Sequence, residues 1–178
     1  MKNLKNILFL FLILIISFIT CISTARAQQR LLNDEDLDKE PVFIFLAEAL
    51  KNPTKVYKLN LSRQQLKEIP KEIYQFVNLQ RIDLSYNNIS EIPKEIGLLK
   101  NLQSLDLTKN KIKELPATIS LLTHLDEFLM GNNLLQKIPD SMFKLKRLTL
   151  LELENNKIPQ KELTKLQRAM PKCEIIYE

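Results

Sequence analysis

Few side chains in this chain are typed and spaced for chemistry, and the clearest are Asp83 and Asp106. They occupy the same place in successive copies of an internal repeat, so on adjacent strands of one sheet their Cβ atoms would stand about 5 Å apart. Carboxylates that close can share a cation or divide the roles of acid and base. Lys58 and Arg81 flank the pair, and that balance of charge equally describes a solvated, ion-paired surface. His124, the single histidine, closes a repeat in the column that elsewhere holds Asn78, Asn101 and Arg147, a polar surface position. Cys173 stands in an apolar segment beside Ile175 and Tyr177 and reads as a buried thiol. Two glycines, Gly97 and Gly131, cannot build a glycine-rich phosphate cradle. One His with two Cys near opposite ends of the chain writes no four-ligand zinc site. Nucleotide and zinc chemistry by those routes is excluded, and no cofactor, metal or catalytic group is expected.

The elements that must position these residues begin after residue 27. Lys2 and Lys5 precede an unbroken run of Leu, Ile and Phe from Ile7 to Ile16, and Ala25-Arg26-Ala27 sets small residues where a signal peptidase reads. Residues 1–27 therefore read as a secretory signal peptide cut after Ala27. The apolar run is shorter than the roughly 20 residues of a membrane span, so no transmembrane span is expected in the mature chain. Cys21 closes the run after Phe18-Ile19-Thr20, loosely as in a bacterial lipobox, so a lipid anchor at Cys21 is the other outcome. Either way the destination is secreted or cell-surface. The whole chain carries 26 Lys+Arg against 21 Asp+Glu, and losing Lys2, Lys5 and Arg26 with the leader leaves 23 against 21. Its basicity belongs mainly to targeting and leaves no electrostatic footprint for nucleic acid. Of the two cysteines only Cys173 stays, so no intrachain disulfide can form and a monomer held by packing is expected.

From Val56 the sequence repeats with a period of 23, in copies that begin at Val56, Leu79, Leu102, Leu125 and Leu148. The second, LQRIDLSYNNISEIPKEIGLLKN, and the third, LQSLDLTKNKIKELPATISLLTH, align column for column. The fifth starts LTLLELENNKI and then diverges, as a copy that caps a stack must. Each copy opens on an alternation such as Leu102, Leu105 and Leu107, which predicts a short strand with one face buried. Asn87, Asn110, Asn133 and Asn156 then recur at one position, and an amide there can satisfy backbone groups of neighbouring coils, a structural asparagine ladder. Gln64 replaces it in the first copy, which fits an end with no preceding coil to bond. Ile69-Pro70, Ile92-Pro93, Leu115-Pro116 and Ile138-Pro139 mark a return segment. Proline lacks an N–H and fixes φ, so that side is extended or loosely helical and not a second sheet.

Two flanks complete the organisation. Pro41 to Lys51 places Val42, Phe45, Leu46, Ala49 and Leu50 at helical spacing behind Asp34-Glu35-Asp36, predicting an N-terminal cap helix ended by Asn52-Pro53. Lys161 to Met170 reads as a helix stopped by Pro171, and Cys173 to Tyr177 as a last strand that closes the sheet edge. The expected domains are a signal peptide (1–27), an N-terminal segment with its cap helix (28–55), five repeats (56–158) and a C-terminal cap (159–178).

The repeat residues, written LxxLxLxxNxLxxLPxxIxxLxx, resemble those of the leucine-rich-repeat family, and within it the secreted bacterial members, including those of spirochaetes. The resemblance implies an α/β fold, a leucine-rich-repeat solenoid curved like a horseshoe with a parallel sheet on its concave side. It also implies a non-catalytic module that recognises a protein ligand through that face, either a host or an envelope component. The alternative is a structural scaffold or lipoprotein of the cell envelope. Aspartate in the place of Asp83 and Asp106 is frequent in the family, which favours the structural reading of that pair.

The repeat assigns every residue a face. Columns two, four, six and seven, counted after the first residue of each copy, should point from the concave sheet or its rim into solvent. The expected ligand-binding residues are Lys58, Arg81, Asp83, Tyr86, Asp106 and Lys109 in the first three copies and Glu127, Leu129, Leu150 and Glu152 in the last two. Leu129 and Leu150 depart most, since polar residues fill their columns elsewhere. They form either an apolar binding patch or a packed pair across adjacent strands or under the cap.

Overall fold

The computed structural model describes residues 31–177. The readings placed on residues 1–27, the leader, its cleavage site and Cys21, lie outside the described residues. Each copy contributes one three-residue strand, and the period lays them side by side: β2 (Lys58–Asn60), β3 (Arg81–Asp83), β4 (Ser104–Asp106), β5 (Glu127–Leu129) and β6 (Leu150–Glu152). A two-residue strand β1 (Val42–Phe43) precedes them and β7 (Glu174–Ile176) follows, giving one parallel seven-stranded sheet in chain order. This is one strand more, β1, than the five repeat strands and the closing strand that the sequence predicts. The middle residue of each strand, Leu59, Ile82, Leu105, Phe128 and Leu151, is buried while its neighbours face out. That alternation is the physical content of the repeat's period-two opening.

The proline-led return segments form short 3-10 helices at Lys71–Gln75, Lys94–Leu98, Ala117–Leu121 and Asp140–Lys144. Each starts just after a proline whose carbonyl accepts the N–H three residues on, as Ile96 to Pro93 at 3.0 Å. Gly97 is required for the close approach of two such segments: a Cβ there would lie 2.9 Å from Leu121 Cδ1 and 3.0 Å from the Thr118 carbonyl. Between sheet and helices runs one apolar core from Ala49 to Met170.

The N-terminal flank differs from the helix expected over Pro41 to Lys51. Helix α1 is Asp34–Lys39, followed by β1 and a single turn α2 (Leu46–Ala49). Asn33 caps α1 by accepting the Asp36 N–H at 2.8 Å, and the three acids of the first turn meet the positive end of its dipole. Pro41 ends this helix instead of starting the next, because the residue before a proline is driven extended, as Glu40 is at ψ 146. Val42 and Phe45, expected on a buried helical face, are 52% and 62% exposed. After the repeats, helix α3 (Gln160–Ala169) buries Leu163 and Leu166 and leads to β7. No helix among the described residues is long and apolar enough to cross a membrane.

Candidate functional site

The asparagine column forms the expected ladder. Asn110 donates through Nδ2 to the carbonyls of Leu84 and Leu107, both at 3.0 Å, and its Oδ1 accepts the Ile89 N–H at 2.9 Å. Asn133 repeats this toward Leu107, Met130 and Ile112, and Asn87 and Asn156 do so in their own copies. Each amide thus ties its own turn to the preceding one and pairs backbone groups of both. Gln64 departs from expectation, since its Nε2 donates to Ile44 at 2.9 Å and a preceding coil is present after all. A second ladder runs down the repeat ends: Asn78 donates to Thr54, Asn101 to Val77, and His124 Nδ1 lies 2.9 Å from the Lys100 carbonyl. A carbonyl only accepts, so His124 carries its proton on Nδ1 and is a structural donor.

Asp83 and Asp106 stand in register on β3 and β4. Each spends Oδ1 on its own turn: Asp83 accepts the Ser85 N–H at 2.9 Å and Asp106 the Thr108 N–H at 2.8 Å, as Asn60 does for Ser62. This Asx turn explains why column four is Asn or Asp when column six is Ser or Thr. Burial pushes the Asp106 carboxyl above the usual range, with the bond from Thr108 opposing it.

The concave face divides into two halves. In the first, Lys58 and Arg81 are already engaged by the chain's own α1: Arg81 pairs with Asp38 at 2.7 Å and Asp34 at 2.9 Å, and Lys58 Nζ donates to the Asp38 carbonyl at 3.1 Å. Buried Gln80 clamps the segment before α1, exchanging both hydrogen bonds with the Leu32 backbone. At the rim, Tyr86 is met by Lys109 and by a residue not anticipated, Arg63. A shallow concavity of about 260 Å³ lies over β2 to β5, with Arg81, Asp83, Asp106 and Leu129 on its walls.

The second half alternates acid with hydrocarbon. Column two reads Glu127, Leu150, Glu174 and column four reads Leu129, Glu152, Ile176, so each apolar side chain sits in register beside a glutamate. Leu129 and Leu150 are therefore diagonal neighbours, both half-buried, and neither lies directly opposite the other. Copy four lacks both halves of the Asx turn: Leu129 replaces the acceptor, Gly131 replaces Ser or Thr, and the Glu152 carboxylate occupies the space a side chain at 131 would take. Burial, then the neighbouring Glu154 and Asp106, push the Glu152 carboxyl up. Glu174 and Ile176 escaped the sequence because the inserted helix breaks the 23-residue count before β7. Cys173 is half-buried, its thiol pushed up to about 11 by burial and so protonated near neutrality.

The family description that matches this chain is the leucine-rich repeat region, over residues 54–170, and the chain belongs to that family. Among solved structures it is similar to a leucine-rich-repeat protein of Leptospira interrogans at 42% identity and a TM-score of 0.61, over 62% of this chain and 28% of that one. An internalin of Listeria monocytogenes matches at 17% identity and a TM-score of 0.59, over 70% of this chain and 37% of its own. Internalin C2 of the same organism matches at 22% and 0.61, over 73% and 57%. The two internalins share the fold, and this chain spans only part of the length of all three. No curated protein matches it in sequence. Leucine-rich-repeat domains commonly serve as protein-interaction modules.

Proposed function

We propose that the chain is an exported, non-catalytic binding module that holds a protein ligand, a host or envelope component, against its concave face. Leu129 carries this reading. Where three other copies place a polar acceptor that closes its own turn, copy four gives that acceptor up and presents hydrocarbon framed by Asp106 and Glu152. An apolar centre rimmed by charge is the anatomy of a recognition surface. Lys2, Lys5, the run from Ile7 to Ile16 and Ala25-Arg26-Ala27 support export. Seven strands of two or three residues make a sheet about 29 Å wide and at most about 10 Å deep. That is well below the roughly 800 Å² per partner of a standard interface, so modest affinity or avidity from many copies is expected unless the rims contribute.

The test is Leu129→Asp in the purified protein, assayed against the protein it captures from host or envelope extracts. The Tm should stay within about 3 °C of wild type, because the side chain is not core, while binding falls at least about tenfold as a charge enters the apolar centre. Loss of Tm with unchanged binding by the remaining folded protein would assign Leu129 to packing.

A further inference from the structure

Column seven of every copy turns in the left-handed region: Arg63, Tyr86, Lys109, Asn132 and Asn155 all have φ between 52 and 59. Asparagine tolerates that conformation, and copies four and five use it. Copies one to three instead place long side chains there, and the stacked turns line them up along the rim. The Arg63 guanidinium lies 4.1 Å from the Tyr86 ring centroid and the Lys109 ammonium 4.5 Å, with Lys109 Nζ also donating to the Tyr86 hydroxyl at 3.1 Å. A bulky aromatic in a strained turn, met by a cation from each neighbouring copy, is an ordered feature that solvation alone does not require.

The charges of this stack are unanswered. Among the described residues no carboxylate lies within 4.0 Å of Arg63 or Lys109, whereas Arg81 on the same half is met twice. What meets Arg81 is an acidic helix, Asp34–Lys39, so this half of the molecule already shows the chemistry it accepts. A guanidinium held against an aromatic ring keeps its fork of N–H donors, and that fork matches a carboxylate. We propose that the Arg63–Tyr86–Lys109 stack is the anchor for a glutamate- and aspartate-rich segment of the protein partner. This rests on the concave-face reading and adds to it a direction: the acidic part of the partner lies at the first three copies, its apolar part over Leu129.

The probe is a fluorescein-labelled peptide of four Glu-Glu-Ser units, titrated by anisotropy against the purified protein, with four Lys-Lys-Ser units as control. Wild type should bind the glutamate peptide and not the lysine one, more weakly as salt rises. Arg63→Ala and Lys109→Ala should each weaken it about tenfold. Tyr86→Asn supplies the residue found in copies four and five, so Tm should stay within about 2 °C of wild type while affinity falls about tenfold. Equal binding by wild type, Arg63→Ala and Tyr86→Asn overturns the proposal, as does binding of heparin without the peptide. If the peptide fails while Leu129→Asp still abolishes partner capture, the anchor falls and the concave-face reading stands.

Discussion

Met130→Asp is expected to abolish the cooperative thermal transition. Met130 directly follows Leu129, yet its side chain is fully buried in the core of copy four, and its carbonyl accepts from Asn133 at 3.1 Å and Asn156 at 2.9 Å. An aspartate there loses its water and finds no cation, a cost of several kcal/mol on top of the methionine packing it removes. That is comparable with the whole stability of an ordinary domain, about 5–15 kcal/mol. In a stack whose copies are stabilised by their neighbours, the loss of copy four also uncouples copy five and α3. Circular dichroism should show no transition, or one more than about 10 °C below wild type. A melt that coincides with wild type would mean the strand register assigned here is wrong.

Asn110→Ala should cost about 3 kcal/mol, more than an ordinary buried hydrogen bond. The substitution leaves three partners behind, the carbonyls of Leu84 and Leu107 and the Ile89 N–H, in a turn packed between two others. Each unpaired buried group carries about 1–3 kcal/mol, partly recovered where water or a second donor reaches it. The expected fall in Tm is about 6–12 °C for a chain of this size. Asn156 makes the same bonds but is only half-buried, so its alanine variant should lose less. Melting of Asn110→Ala together with wild type would remove the ladder as a source of stability.

The repeated part of the fold was legible because a 23-residue period ties type to place: a buried strand centre, an amide beneath the turn and a proline before the return recur without a gap. Where the period stops, legibility stops. Pro41 can open one helix or close another, and only the Asn33 cap and the extended Glu40 show which happened. The engagement of Lys58 and Arg81 depends on α1 folding back, across 20 residues to Lys58 and more than 40 to Arg81, a contact no column records. Arg63 was visible in the column of Tyr86 and Lys109, but its stacking follows from a left-handed turn that these residue types do not advertise. The role of Asp83 and Asp106 needed the turn geometry, since the same two carboxylates would suit a cation site.

The partner proposed for the concave face has a strong rival surface on which it could dock. Leu98 and Leu121 on the convex 3-10 segments are 60% and 48% exposed. Methyl-resolved NMR of the protein with and without its captured partner separates the two directly. The concave account predicts shifts or broadening of the Leu129, Leu150 and Ile176 methyls with Leu98 and Leu121 unmoved; the reverse pattern would contradict it.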